Sequence, residues 1–124
     1  MDKFKIHTVE GIKIIDVTLK RATLENAAEF KNFLAEEIDN GKRKFIIDLS
    51  SVNFMDSTFL GALVVNLKKV QKAGGDLRLV KKEQSDKSPL WLMFQSTKMY
   101  KMFKIFESID KAYESYQDWA ARKL

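Results

Sequence analysis

The sequence predicts an α/β domain: a mixed, mostly parallel sheet of four or five strands, opened by an antiparallel hairpin and covered by about four helices. Three observations lead there. Phe45, Ile46 and Ile47 form a continuous apolar run ending at Asp48, the pattern of a strand buried on both faces. Leu60, Leu63, Val64, Leu67 and Val70 then recur at the spacing of one stripe of an α-helix. Along the whole chain the two periodicities alternate as β-β-α-β-α-β-α-(β)-α. That order builds parallel strands joined by helical crossovers.

The elements follow in order. Phe4, Ile6 and Thr8 alternate with polar residues, as in a half-buried strand. Glu10-Gly11 predicts a tight turn. A second strand carries Ile12, Ile14, Ile15, Val17 and Leu19. Its alternation changes phase between Ile14 and Ile15, which means either a bulge or two covered faces. Thr23 is placed to cap the next helix through its hydroxyl. Leu24, Ala27, Phe30, Leu34 and Ile38 mark the apolar stripe of that helix, and Asn40-Gly41 ends it.

The third strand is Arg43 to Asp48, followed by a polar loop from Leu49 to Met55. The second long helix runs from about Ser57 to Ala73, and Gly74-Gly75 stops it as a C-terminal cap. A short fourth strand holds Leu77, Leu79 and Val80; Lys81 to Ser88 is polar and predicts a loop. Pro89 suits the first turn of a short helix with Leu90, Trp91, Met93 and Phe94. Met99, Tyr100, Met102, Phe103, Ile105 and Phe106 predict a core closing over the sheet edge. The last helix starts near Ser108, with Ile109, Ala112, Tyr113, Tyr116 and Ala120 on one face. No linker or repeat divides residues 1–124, so one domain is expected.

Composition narrows the chemistry. A chain of 124 residues with 45% apolar content can bury a single core. There is no cysteine, which excludes disulfides, thiolate chemistry and zinc sites of the Cys type. A single histidine, His7, leaves little for a His-based metal site or triad, and no metal is expected. No apolar run reaches the roughly 18 residues of a membrane span. The N-terminus lacks the apolar core of a signal peptide, so a soluble cytoplasmic protein is expected. The net charge of +5 comes from scattered lysines, which face solvent more often than nucleic acid; direct nucleic-acid binding is not expected.

Enzyme chemistry finds few candidates. A serine nucleophile needs a base within reach, and His7 is distant in sequence. No phosphate-cradling glycine loop is present. Asp48 invites comparison with a receiver domain, but Lys5, Ile6, His7 and Thr8 stand where its acidic pair would fall. Glu36 and Glu37 sit on an exposed part of a helix and serve solvation.

What remains is the junction between the third strand and the second long helix. Asp56, Ser57 and Thr58 crowd the helix start, and in open α/β sheets ligands meet the carboxyl ends of strands. From the residues alone, Asp56 and Ser57 are ordinary helix caps and Thr58 a first-turn residue. Asp48 could bond loop amides. Phe54 and Met55 could be core or interface, and an exposed Phe54 or Phe59 would favour docking.

Asp48-Leu49-Ser50, followed by Met55-Asp56-Ser57-Thr58 and Leu60-Gly61, resembles the STAS domain of bacterial anti-sigma factor antagonists. Gly74-Gly75 and the stretch from Thr97 to Phe106 match later parts of the same pattern, so the likeness spans essentially the whole chain. It implies a regulatory binding protein rather than an enzyme. The phosphoacceptor would be Thr58, with Ser57 as second choice. The partner-binding residues would be Asp48, Ser50, Phe54, Met55, Asp56, Ser57, Phe59 and Leu60. The implied partners are an anti-sigma factor that is a serine/threonine kinase, using its own ATP, and a PP2C-type phosphatase. The chain itself would need no cofactor and would be a monomer when free.

The sequence departs from the family pattern at three places. Phe59 stands where Gly is most common, Thr58 replaces Ser, and Lys20-Arg21-Ala22-Thr23 stands where many members have Gly-x-Leu-Asp. Two other readings fit the same residues: an unphosphorylated STAS scaffold in a transporter or stress-signalling complex, or a small-ligand or nucleotide binder using the strand-end cleft. A phosphate at the first turn of a helix meets unpaired N–H groups and a favourable dipole. Phosphorylation at Thr58 is therefore expected to leave the fold intact.

Overall fold

The computed structural model describes residues 3–81 and 88–123. The expected loop residues 82–87 and the side chain of Ala120 lie outside the described part. The strands are β1 (Phe4–Val9), β2 (Ile12–Val17), β3 (Arg21–Ala22), β4 (Lys44–Asp48), β5 (Phe54–Met55), β6 (Asp76–Val80) and β7 (Ile105–Phe106). The helices are α1 (Leu24–Asp39), α2 (Ser57–Lys72), α3 (Pro89–Ser96) and α4 (Ile109–Lys123), with a short 3-10 turn over Met99–Lys101. The main sheet has the order β1-β2-β4-β6-β7, and β3 pairs with β5 in a small separate ribbon. The β1–β2 pair is antiparallel and every other pair is parallel.

The phase change in β2 is settled by coverage of both faces. Pairing with β1 runs without interruption from Phe4 opposite Val17 to Val9 opposite Ile12, so no bulge intervenes. Ile15 and Val17 join Phe45, Ile47, Leu77 and Leu79 in the large core beneath α1, α2 and α3. Ile12 and Ile14 join Ile46, Val80, Ala112 and Tyr116 in a second core beneath α4. The apolar run through α3 and beyond divides as well. Leu90, Phe94 and Phe103 are buried in the large core, whereas Leu92, Tyr100 and Met102 face outward.

The two glycines after α2 have separate duties. Gly74 has φ +94, the left-handed turn that ends the helix. Gly75 lies where a Cβ would meet the Arg43 carbonyl oxygen at 2.0 Å, because the chain passes closely by before Asp76 N–H bonds that same oxygen at 2.9 Å. Capping alone therefore accounts for only the first. Gly74→Ala is expected to destabilise by about 1–2 kcal/mol, the left-handed strain of an L-residue. Gly75→Ala should lose about 3 kcal/mol or more, since backbone must move to admit the methyl. Denaturant melts of the two variants side by side measure the difference.

A buried charge sits under α4. Arg78, on β6, has a side chain only 1% exposed. Its Nε donates to Asp76 Oδ2 at 3.0 Å and its Nη1 to Ser115 Oγ at 2.6 Å. The guanidinium also lies over the Tyr116 ring, 4.0 Å from its centroid. The Tyr116 hydroxyl is 2.7 and 2.8 Å from the carbonyl oxygens of Phe45 and Asp76, and it accepts the Phe45 N–H at 3.2 Å. One tyrosine thus bridges β4 and β6 from α4. Polar groups this deep are tolerated because each is paired.

Candidate functional site

The site is built where β4 hands the chain to α2. At the end of β4, Asp48 Oδ1 accepts the Ser50 N–H at 3.0 Å, and a tight turn follows in which Val52 N–H bonds Leu49 O at 3.0 Å. The chain then runs as β5 beside β3 before α2 begins at Ser57. Asp56 is the N-cap residue of α2. Its Oδ1 accepts the Phe59 N–H at 2.9 Å, the bond expected of a capping carboxylate. Its second oxygen reaches a different helix: Oδ2 accepts the Leu24 N–H, the first residue of α1, at 2.8 Å. Thr23 stands at the cap position of α1 but its hydroxyl makes no capping bond. The expectation that Thr23 caps that helix through its side chain is thus corrected; a carboxylate 32 residues away does so instead.

Ser57 and Thr58 are both exposed on the first turn of α2, which carries no acidic residue of its own. Beside them lies a cleft of about 440 Å³ lined by Arg21, Thr23, Leu24, Glu25, Phe54 and Asp56. Phe54 is half-buried, with the Arg21 guanidinium over its ring at 4.4 Å from the centroid. Leu24, expected in the apolar stripe of α1, is instead 67% exposed at the rim.

Three residues expected to meet a partner are turned inward. Phe59 is fully buried, its ring stacked on Phe30 with centroids 4.7 Å apart. Met55 and Leu60 are buried in the same core. In the free protein the side chains of Met55, Phe59 and Leu60 thus carry the site from beneath rather than displaying an apolar surface. The physical reason is helical phase, for Phe59, Leu63, Leu67 and Val70 form the buried face of α2. That spacing was present in the sequence and could have revealed it.

The remaining residues divide between two places. Phe54, Asp56, Ser57 and Thr58 gather at the start of α2. Asp48 and the half-buried Ser50 face a second cleft of about 190 Å³, between the ends of β4 and β6 and the start of α4, with Glu107, Ser108 and Asp110 on its other side. Among the described residues, no group of three or more His, Asp or Glu side chains is placed to hold a metal ion. No described helix is long and apolar enough to cross a membrane. Arg21 and Leu24, which line the site, were not singled out by motif. Arg21 stood only within the Lys20-Arg21-Ala22-Thr23 stretch that departs from the family pattern, and the periodicity of Leu24 pointed inward.

The architecture is a hairpin-led mixed sheet with a doubly tied helix start that displays two hydroxyls. The chain belongs to the STAS domain family, whose profile matches residues 3–112. A Thermotoga neapolitana homologue of TM1081, whose name proposes it as an anti-sigma factor antagonist, is 36% identical over 78 residues, covering 62% of this chain and 68% of that protein. The crystal structure of TM1081 from Thermotoga maritima, proposed for the same role, superposes with a TM-score of 0.78 at 27% identity, covering 90% of this chain and 92% of that one. The Bacillus cell fate determinant SpoIIAA in its phosphorylated form shares the fold, with a TM-score of 0.67 at 13% identity over 91% of this chain and 98% of that one.

Proposed function

We propose that this protein is an anti-sigma factor antagonist whose hold on its anti-sigma factor is set by phosphorylation of Thr58. The observation that carries the reading is the exposed Thr58 hydroxyl on the first turn of α2, displayed by a cap that is tied to two helices. The similarity to proteins proposed as anti-sigma factor antagonists supplies the partner class. In this reading the unmodified chain binds the anti-sigma factor and so frees the sigma factor. The anti-sigma factor is also a serine/threonine kinase. It transfers the γ-phosphoryl of its own ATP to Thr58 Oγ1; the hydroxyl proton leaves to the kinase and ADP is released. A PP2C-type phosphatase hydrolyses the phosphate and resets the switch. The chain acts in the cytoplasm, as a monomer when free, and contributes no cofactor or catalytic group.

The physical basis is charge at a helix start. Phosphate adds about −2 charge and three acceptor oxygens. The N-terminus of α2 tolerates it, so the fold survives. A partner surface fitted to a neutral hydroxyl then meets a dianion next to Asp56, and like charges at an interface cost several kcal/mol. Incubation with ATP and a candidate anti-sigma factor kinase, followed by intact mass and peptide mapping, tests the reading. The expected result is one phosphate on Thr58, absent from Thr58→Ala, with affinity for the kinase lowered by about 100-fold or more. Tight binding with no phosphate on Thr58 or Ser57 would turn the reading to an unphosphorylated scaffold.

A further inference from the structure

Leu24 is the odd residue of α1. Ala27, Phe30, Leu34 and Ile38 are buried at helical spacing, yet Leu24, one turn earlier, is 67% exposed, the highest value among the large apolar side chains described. Its N–H is held at 2.8 Å by Asp56 Oδ2, while Oδ1 of the same carboxylate holds the Phe59 N–H at 2.9 Å. One side chain therefore fixes two helix starts, the one that bears Thr58 and the one that bears Leu24. Nothing on Thr23 duplicates the bond to α1. Between the two starts lies the cleft whose wall carries Arg21 over Phe54.

We propose that Leu24 docks against the same anti-sigma factor and that Asp56 makes the placement of Leu24 depend on the charge at residue 58. The proposal rests on the phosphorylation reading given above and names its regulation. A phosphate on Thr58 lies on the turn whose N–H groups Asp56 caps. Its oxygens compete for the Phe59 N–H, and its charge repels the Asp56 carboxylate. Both effects draw Asp56 out of its bridging position, and the Leu24 N–H loses its acceptor. The first turn of α1 then loosens while the sheet and the core beneath α1 and α2 stay as they are. In the unmodified chain Leu24 stands in one place beside the Arg21 cation. The same cleft carries the Glu25 carboxylate, so the complementary partner surface is an apolar socket with a carboxylate facing Arg21 and a cation facing Glu25.

The relay can be read without any kinase. Phosphothreonine is placed at residue 58 during translation, and amide spectra and hydrogen exchange are compared with the unmodified, nitrogen-15-labelled protein. The Leu24 amide is expected to shift and to exchange about tenfold faster or more, whereas the Ile46 and Ile47 amides in β4 keep their protection. Asp56→Ser, whose single shorter oxygen can cap only one of the two helices, should reproduce the Leu24 change without phosphate. Leu24→Ser should weaken binding of the unmodified chain to the anti-sigma factor by about tenfold. An unchanged Leu24 amide in the phosphorylated chain overturns the relay even if binding is lost. Full affinity in Leu24→Ser overturns the docking role. Undiminished binding of the phosphorylated chain would instead overturn the phosphorylation reading itself.

Discussion

Arg78→Ala is expected to destabilise the protein by about 3–5 kcal/mol, the loss typical when one partner of a buried ion pair is removed. Whole domains are stable by only about 5–15 kcal/mol, so this change alone could unfold the chain at modest temperature. The loss is large because alanine leaves Asp76, itself 8% exposed, without its charged partner. Ser115 Oγ and the face of Tyr116 lose the guanidinium too. Arg78→Met keeps the volume but still strands the Asp76 carboxylate. Pairing it with Asp76→Asn removes both charges, and much of the stability should return. Urea unfolding of the three variants measures this. A loss below about 1 kcal/mol for Arg78→Ala would mean that the pair behaves as a solvated surface bridge.

The same cluster sets an alkaline limit. Tyr116 is held well above the ordinary tyrosine value of 10.0, first by burial and then by the Asp76 carboxylate. Folding therefore favours the protonated hydroxyl, which bonds the carbonyl oxygens of β4 and β6. The sign follows from linkage: the stability is present in full below pH 10, where the unfolded tyrosine is also protonated. As pH rises beyond that value the unfolded chain ionises and the folded chain does not. Stability then falls by about 1.4 kcal/mol per pH unit from this group. Tyr116→Phe should be less stable at neutral pH and should lack this share of the alkaline slope.

These side chains also mark where sequence reading stops. Phe45-Ile46-Ile47 was legible because a strand covered on both faces leaves no polar position, and α2 was legible because its stripe is long. The phase change at Ile14 and Ile15 was legible as one of two alternatives, which the second core beneath α4 decides. Arg78 was not legible. Asp76-Leu77-Arg78 reads as an alternating strand with one wet face, and the residues that make that face dry, Ser115 and Tyr116, lie 37 and 38 positions further on. Asp56 was legible as a cap but not as a double one, since the bond to Leu24 depends on tertiary placement. Leu24 misled for the same reason. Helical phase pointed it inward, but α1 begins at the margin of the core.

Phe59→Ala is expected to lose about 3–5 kcal/mol, the transfer and cavity terms of a fully buried aromatic. The ring lies between the two long helices, stacked on Phe30, which in turn meets Phe4 at 5.0 Å. Phe59→Gly, which would restore the residue most common in the family pattern, should lose more, because glycine adds about 1 kcal/mol of helix cost to the same cavity. Phe59→Leu should lose about 1–2 kcal/mol and keep the fold. Thr58→Ala, one residue earlier and exposed, should change stability by less than about 0.5 kcal/mol. Two neighbours in sequence thus belong to different problems, one to partner recognition and one to the core. Binding must therefore be compared with melting for every variant at this turn. If Phe59→Leu melts near the unmodified protein and still binds the anti-sigma factor fully, the aromatic ring serves packing. If it melts normally and binding falls about tenfold, the ring must turn outward in the complex, and the inward placement belongs to the free protein alone.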